Sequence, residues 1–473
     1  MIKGMNKRLA FAIVAAALWS SFQHGYNIGV VNAPERLIEE WIYDLESNRT
    51  DTIVEQSQVT IIWSIAVSIF CAGGMIGACS TSYVAEKFGR KGGLLLNNIF
   101  VLIATVCQGC AKSSNSYELL ILGRFAIGIN SGLNAGLAPL YLTEISPVRL
   151  RGAVGTVYQL GITISILISQ ILGSESVLGT EELWPVLLAL TIVPGILQLI
   201  SLPFCPETPK YLLITKGKEL EAQKALLWLR DSTEVHDEMD EMRSEHEKMK
   251  LVPTVTFREM FTNEALRIPL IIAIVVMIGQ QLSGINAVMF FSTKIFKMSN
   301  LTDESAQYAT IAMGTCNVAM TVVSLVLVEK AGRKTLLLIG FVGMFFIALI
   351  LTICLAFAEK SIVVSYLCIL LVLLFVITFA VGPGSIPWFL VTELFNQGAR
   401  PAATSIAVAV NWTANFLVGL GFLPLQELIR EYVFIVFAIF LIFFILFVWK
   451  KLPETKNKPI EEISAMFRQI SYQ

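Results

Sequence analysis

Glutamate and arginine recur at one spacing in two distant parts of the chain. Glu144 is followed seven residues later by Arg151, and Glu393 is followed seven residues later by Arg400. A carboxylate and a guanidinium can form short, charge-assisted hydrogen bonds. Such pairs can also break when a protein changes conformation, so reversible ion pairing is the chemistry that these residues suggest.

Two further motifs repeat in the same order. Gly89-Arg90-Lys91 returns as Gly332-Arg333-Lys334, and Pro206-Glu207-Thr208 returns as Pro453-Glu454-Thr455. The three offsets lie close together, at 243, 249 and 247 residues. Repeats at nearly one offset indicate an internal duplication. The duplication predicts two gating clusters, one of Arg90, Glu144 and Arg151 and one of Arg333, Glu393 and Arg400. A static anchoring role is the alternative.

Other chemistry is disfavoured. The sequence has no phosphate-binding loop, no metal-ligand spacing and no nucleophile–base pair, so we expect no cofactor, no metal and no enzyme activity. Cys107 and Cys110 form a C-x-x-C inside an apolar run. Small buried side chains explain that pair better than redox chemistry.

The elements that carry these residues are apolar. The chain has 473 residues, of which 55% are hydrophobic and 15% charged, with a mean hydropathy of +0.69 and a net charge of −1. This charge balance does not suggest a nucleic-acid partner. About 20 apolar residues span a bilayer as a helix. The pattern predicts a multi-pass protein whose twelve spans lie at about 9–31, 60–84, 92–111, 118–141, 152–172, 183–205, 267–292, 307–329, 335–357, 363–391, 402–423 and 431–450.

Basic residues predict the orientation. Lysine and arginine precede the first segment and follow segments 2, 4, 8, 10 and 12, so by the positive-inside rule both termini are expected in the cytoplasm. The loop at about 32–59 is acidic and is expected outside, where Asn48-Arg49-Thr50 is a glycosylation sequon. The predicted domains are a six-helix bundle at 1–205, a cytoplasmic helical linker at 206–266, a second six-helix bundle at 267–451 and a cytoplasmic tail at 452–473.

Several motifs together resemble the sugar porters of the major facilitator superfamily, and among them the facilitative hexose transporters. They are Gly89-Arg90-Lys91, Gly123-Arg124-Phe125, Pro206-Glu207-Thr208-Pro209-Lys210, Gln280-Gln281-Leu282-Ser283-Gly284-Ile285-Asn286, Gly382-Pro383-Gly384-Ser385-Ile386-Pro387-Trp388 and Pro453-Glu454-Thr455-Lys456. The resemblance implies an all-α membrane protein with twelve helices in two six-helix bundles, a cytoplasmic helical linker, and transport by alternating access with a central site between the halves.

The resemblance also implies a sugar site. Its residues are Gln159, Gln280, Gln281, Asn286, Asn317, Trp388, Asn411 and Trp412. Neutral amides suit the task, because each offers donors and an acceptor to hydroxyl groups without burying a charge. Gln280 and Asn286 do not fall on one stripe of a continuous helix, so a break near Gly284 is expected. Amides that hold helices together are the alternative.

Coupling to protons would need a titratable group within the membrane. Proton-coupled relatives typically carry Asp where this chain has Asn27, and an amide cannot bind and release a proton. His24 is the ionisable exception, and a neutral packing role fits it better than a relay. These residues favour a uniporter over a proton–sugar symporter.

The residues divide on which hexose is carried. Trp388 and Asn411-Trp412-Thr413 resemble glucose-type members, whereas Ser21-Phe22-Gln23-His24 and Ala380 resemble fructose-type members or depart from the glucose pattern. We expect D-glucose as the favoured substrate with D-fructose accepted as well, and keep a fructose-selective uniporter as the alternative. The expected setting is the plasma membrane, where the chain contacts the lipid bilayer and functions as a monomer.

Overall fold

The computed structural model describes residues 4–147, 150–396, 398–456, 458 and 460–473. These residues are helical, with no strand among them. The helices in the first half of the chain are α1 (Lys7–Ile13), α2 (Trp19–Gly29), α3 (Glu35–Thr50), α4 (Gln56–Cys110), α5 (Tyr117–Ile145), α6 (Arg151–Leu172), α7 (Trp184–Ala189) and α8 (Ile192–Ser201). The linker contributes α9 (Glu219–Arg230), α10 (His236–Lys250) and α11 (Phe257–Thr262).

The remaining helices are α12 (Glu264–Leu282), α13 (Ile285–Met298), α14 (Asp303–Lys330), α15 (Arg333–Ala356), α16 (Ile362–Val381), α17 (Ile386–Leu394), α18 (Arg400–Ile429), α19 (Val433–Lys451) and α20 (Ile460–Tyr472). Each of the twelve predicted apolar segments overlaps one or two of these helices. Helix α4 covers two predicted spans, 60–84 and 92–111, and it changes direction between them at Gly89.

Six helical stretches among the described residues are long and apolar enough to cross a membrane by length and composition. They are 56–110, 184–204, 264–298, 333–356, 362–394 and 400–451. Other predicted spans, such as α5, carry buried polar residues, including Arg124, Asn130 and Asn134. Polar side chains of this kind lower the mean hydropathy of a span, although they are buried by packing against other helices.

The described residues form two compact units, and both draw on separate parts of the chain. The first unit contains 1–27, 72–166 and 188–253, and the second contains 28–71, 167–187 and 254–473. The predicted boundaries at residues 205, 266 and 451 remain a prediction. Two helices lie where the sequence predicted a loop and a tail, namely α3 and α20.

Buried amides hold the first unit together. The Gln23 side chain donates to Asn98 at 3.1 Å and accepts from Asn130 at 3.2 Å and from Asn134 at 3.0 Å. Because Gln23 lies on α2, Asn98 on α4 and Asn130 on α5, one side chain joins three helices. Buried polar groups need such partners, since an unmade hydrogen bond inside an apolar bundle is costly.

Candidate sugar site and helix-end clusters

A cluster of amide side chains forms within the second unit. It begins at the interruption between α12 and α13, where Gly284 adopts a φ of 98°. This left-handed conformation favours glycine, and a β-carbon there would lie 2.9 Å from the Phe437 ring. The break that the sequence predicted near Gly284 is therefore present. It ends α12 immediately after Gln280 and Gln281.

Gln280 is the centre of this cluster. Its Nε2 donates to the carbonyl oxygens of Pro383 at 2.8 Å and Gly384 at 3.0 Å. Those carbonyls are available because α16 ends at Val381 and α17 begins at Ile386, so the chain between them makes no regular helical bonds. The Oε1 atom of Gln280 accepts from Asn411 Nδ2 at 2.7 Å.

Gln281 completes the set. Its Nε2 donates to Asn411 Oδ1 at 3.2 Å and to Gln280 Oε1 at 3.2 Å. Its Oε1 is buried and has no hydrogen-bond partner in the described part of the chain, and the same holds for Nδ2 of Asn286. A buried acceptor and a buried donor without partners are what a polyhydroxylated ligand could satisfy, because each hydroxyl both donates and accepts.

The other predicted sugar-site residues differ in their surroundings. Trp412 is buried, and its ring centroid lies 6.3 Å from that of Phe70, whereas Trp388 is 40% exposed. Asn317 is partly buried on α14. Gln159 lies on α6 in the first unit with an exposed side chain. The structure thus brings Gln280, Gln281 and Asn411 into contact, and the roles of the remaining residues stay predictions.

Asn27 and His24, the residues that bear on the choice between uniport and proton coupling, lie in the first unit. Asn27 Nδ2 donates to Thr191 Oγ1 at 2.9 Å, and its backbone oxygen accepts from the guanidinium of Arg124 at 2.8 Å. His24 Nδ1 and Tyr158 Oη are 2.9 Å apart. Arg124 therefore meets a backbone carbonyl and an amide residue at the place where proton-coupled relatives typically carry a carboxylate.

The first helix-end cluster contains the predicted pair. Arg90 approaches Glu144 Oε1 through Nε at 3.2 Å and through a terminal nitrogen at 3.0 Å. Thr208 Oγ1 donates to the second oxygen of Glu144 at 2.5 Å. The side chain of Arg151, also predicted here, lies outside the described residues.

Glu207, like Thr208, belongs to this cluster but was not among the residues predicted for it. Its carboxylate accepts from the backbone N–H groups of Arg90 at 3.2 Å and Lys91 at 3.1 Å. Burial raises the pKa of Glu207, while hydrogen bonds from the backbone N–H groups of Thr208, Lys91 and Gly92 and the charge of Arg90 oppose the rise. The repeated Pro-Glu-Thr motif was the signal in the sequence that could have identified it.

The second cluster repeats the arrangement. Arg333 Nε donates to Glu393 at 3.0 Å, Thr455 Oγ1 donates to Glu393 at 2.5 Å, and Glu454 accepts from the backbone N–H of Arg333 at 2.8 Å. The guanidinium of Arg400, also predicted here, donates to the carbonyl oxygen of Phe395 at 3.2 Å, and its gating role stays a prediction.

Comparisons with known proteins identify the family. The family described as "Sugar (and other) transporter" matches residues 12–467. The chain belongs to this family. It is therefore a multi-pass membrane protein of a transporter family and not an enzyme.

Curated relatives cover almost the whole chain. It is 45% identical over 98% of its length to solute carrier family 2, facilitated glucose transporter member 1, of Gallus gallus, covering 94% of that protein. It is 47% identical over 98% of its length to facilitated glucose transporter protein 1 of Caenorhabditis elegans, covering 91% of that protein. It is 47% identical over 97% of its length to facilitated glucose transporter member 3 of Mus musculus, covering 92% of that protein.

Solved structures establish the fold. The chain matches a partially occluded, inward-open conformation of the xylose transporter XylE from E. coli with a TM-score of 0.80, at 23% identity, over 96% of this chain and 100% of that one. The predicted fold class, an all-α membrane protein with the major facilitator fold, is confirmed.

Proposed function

We propose that the protein carries D-glucose across the plasma membrane by facilitated diffusion, through alternating access. The observation that carries the proposal is the buried cluster of Gln280, Gln281 and Asn411, which presents neutral hydrogen-bonding groups within apolar helices. Neutral amides match a neutral sugar and avoid the cost of burying a charge. The names of the curated relatives support the same substrate and the same downhill mode.

Asn27 supports uniport over proton coupling. An amide binds no proton at any physiological pH, and the nearby Arg124 meets the backbone oxygen of Asn27. A carrier in which sugar movement is not coupled to the binding and release of a proton equilibrates its substrate across the membrane and does not concentrate it.

The helix-end clusters are the proposed gate on the cytoplasmic side. Arg90 with Glu144, and Arg333 with Glu393, sit at the ends where the positive-inside rule places the cytoplasm. We propose that these ion pairs hold the cytoplasmic side closed in one state and separate in the other. With this orientation both termini are cytoplasmic and Asn48, which is exposed at the end of α3, is glycosylated outside.

A fructose-selective uniporter is the second candidate, favoured by one residue. Ala380 stands near the end of α16, where glucose-type members carry a glutamate, and its small side chain is 9% exposed. Loss of that carboxylate removes an acceptor for a hydroxyl or for a neighbouring amide.

Uptake in proteoliposomes tests both candidates. Purified protein is reconstituted without a proton gradient, and entry of labelled D-glucose and D-fructose is measured with each sugar competing against the other. We expect saturable D-glucose entry that stops at the external concentration. Saturable entry of D-fructose alone would establish the second candidate, and no saturable entry of either sugar would overturn the proposal.

A further inference from the structure

A cavity lined by opposite charges lies beside α3, away from the amide cluster and wholly within the second unit. Its volume is about 70 Å³. Glu35 and Glu39 line it from α3, Lys294 and Lys297 from α13, and Asp303 from the start of α14. The two glutamates are four positions apart, so they lie about one helical turn apart on one face of α3.

Hydrogen bonds fasten the start of α3 to α13. The Asn32 side chain accepts from the backbone N–H of Ser292 at 2.9 Å and donates to the backbone oxygen of Met289. Phe291, which lies between Met289 and Ser292, has non-helical dihedral angles. Helix α13 therefore bends where Asn32 binds it. The bend places the lysines of the last part of α13 against the glutamates of α3.

Ion pairs to Asp303 add a second fastening. Lys297 Nζ lies 2.5 Å from one oxygen of Asp303, and Arg36 contacts the other. The Lys297 hydrogen bond and the Arg36 charge hold the pKa of Asp303 below its usual value. Asp303 therefore stays ionised and remains ion-paired with Lys297 and Arg36.

The two glutamates have a different environment. Glu35 is 4% exposed, and its Oε1 has no hydrogen-bond partner among the described residues. Burial raises the pKa of Glu39 to about 7; Glu427 on α18 raises it too, while Lys294 and Lys297 oppose the change. Burial and the neighbouring Glu39 raise the pKa of Glu35 well above its usual value, against the two lysines and the nearby Trp63 side chain.

We propose that the Glu35–Glu39 pair is a proton-binding site that holds α3 against α13, and that protonation of it slows opening of this end of the transporter. The inference rests on the proposed function, because it assigns the site to regulation of sugar flux. It also rests on the predicted orientation, which places α3 outside the cell.

The direction of the expected pH effect follows from the different surroundings of Glu39 in the closed and the opened conformation. With the carboxyl buried as here, Glu39 holds its proton up to about pH 7; in an opened conformation that hydrates it, an ordinary glutamate releases its proton near pH 4.3. Proton binding therefore stabilises the closed form below about pH 7, and this stabilisation is lost as the pH rises through that value.

The first test is the rate of D-glucose uptake against external pH in cells. Between about pH 6 and about pH 8 we expect the wild-type rate to rise at least about twofold. Glu39→Gln, which mimics the protonated state, should be slow and independent of pH, whereas Asp44→Asn, an exposed neutralisation on the same helix, should keep the wild-type profile. A flat wild-type profile, or a Glu39→Gln profile like that of the wild type, would overturn the proposal.

Lys294→Gln provides a variant with the opposite expectation. Lys294 is the group that most strongly opposes the raised pKa of Glu39, so its removal should move the midpoint of the profile to higher pH. An unmoved midpoint would contradict the assignment. This variant keeps the proposal testable where Glu39→Gln fails to reach the cell surface.

A labelling experiment separates this proposal from the proposed function. Thr293, in the cavity wall, is replaced by cysteine, and labelling by an impermeant maleimide is compared with and without Glu39→Gln at each pH. Comparison at one pH cancels the intrinsic pH dependence of the thiol. We expect slower labelling with Glu39→Gln above about pH 7, and equal labelling would overturn the site even where sugar flux is normal. No sugar flux at any pH would overturn the proposed function alone.

Discussion

At the scale of single residues, Gln281 and Asn27 make opposite use of an amide. Gln281 presents a buried oxygen without a partner inside the described residues, next to Gln280 and Asn411. Asn27 uses its amide to bind Thr191 and leaves no group that can change charge. The first residue suits a ligand with hydroxyl groups, and the second suits a carrier that moves no proton.

Replacing Gln281 by Ala should weaken sugar binding. The loss of a hydrogen bond to a buried group costs about 1–3 kcal/mol, which raises the dissociation constant by about 5- to 150-fold. Competition binding of D-glucose to purified protein measures the change, with exposed Gln58→Ala as the control. If Gln281→Ala and Gln280→Ala both bind as the wild type does, this cluster is not the sugar site.

Replacing Asn27 by Asp should make transport respond to protons. A carboxylate at this position would lie beside the Arg124 guanidinium, where an opposite charge favours its ionised form. We expect Asn27→Asp to accumulate D-glucose above the external concentration when the outside is acidified, whereas the wild type equilibrates the sugar with or without the gradient. Proteoliposomes with an imposed gradient, with and without an ionophore, measure this. No accumulation by the variant under the gradient would contradict the role given to Asn27.

At the scale of elements, the turn at Gly89 shows how a loop motif is held. Gly89 has a φ of 80° inside α4, and a β-carbon there would lie 2.4 Å from Glu207 Oε2. The turn exposes the N–H groups of Arg90 and Lys91, and Glu207 accepts from both. One residue type thus permits the turn and the close approach of the carboxylate.

Gly89→Ala should therefore damage the first cluster. A positive φ costs a non-glycine residue about 1 kcal/mol, and displacement of Glu207 adds to that cost. We expect a lower melting temperature and a lower maximal uptake rate. Gly217→Ala is the matched control, since its φ of 66° is also positive but nothing lies within 4 Å of the added carbon. Equal effects of the two substitutions would show that the contact with Glu207 is unimportant.

Helix α3 shows where hydropathy fails as a guide. The sequence predicts an acidic loop at about 32–59, whereas Glu35–Thr50 is helical. Its charged residues carry no signal for a membrane span, and its helicity depends on apolar residues such as Ile38 and Ile42, which are fully buried. Short amphipathic helices of this kind become clear only when the surface that they pack against is known.

At the scale of the whole molecule, the repeat is preserved in the contacts of both helix-end clusters. Arg90 with Glu144 and Thr208, and Arg333 with Glu393 and Thr455, have the same donors and acceptors. The same geometry in both copies indicates that duplication preserved the clusters as units. Under the proposed function, this symmetry lets both halves contribute to closing the cytoplasmic side.

Neutralising these clusters should change the rate more than the affinity. Glu144→Gln and Glu393→Gln each remove the charge that pairs with an arginine, while the amide cluster proposed to bind the sugar is untouched. We expect a maximal uptake rate reduced about tenfold, with a dissociation constant for D-glucose within about twofold of the wild type. Uptake kinetics and direct binding on the same preparations measure both. A variant with changed affinity and an unchanged rate would contradict a gating role.

By itself the sequence determined the spans, the repeat and the family. These follow from composition and spacing, because crossing a bilayer as a helix requires long apolar runs and because a duplication leaves its motifs at one offset. The break at Gly284 was also predictable, since amides on different faces of one helix cannot converge without it.

Only the tertiary structure decided which polar groups meet. It joined Gln280 to the carbonyls of Pro383 and Gly384, added Glu207 to the first cluster, and turned Arg400 toward Phe395. It also brought Glu39 against lysines more than 250 residues away in the chain. The physical reason is that hydrogen bonds and ion pairs depend on distances of about 3 Å, which spacing along a chain does not fix for residues on separate helices.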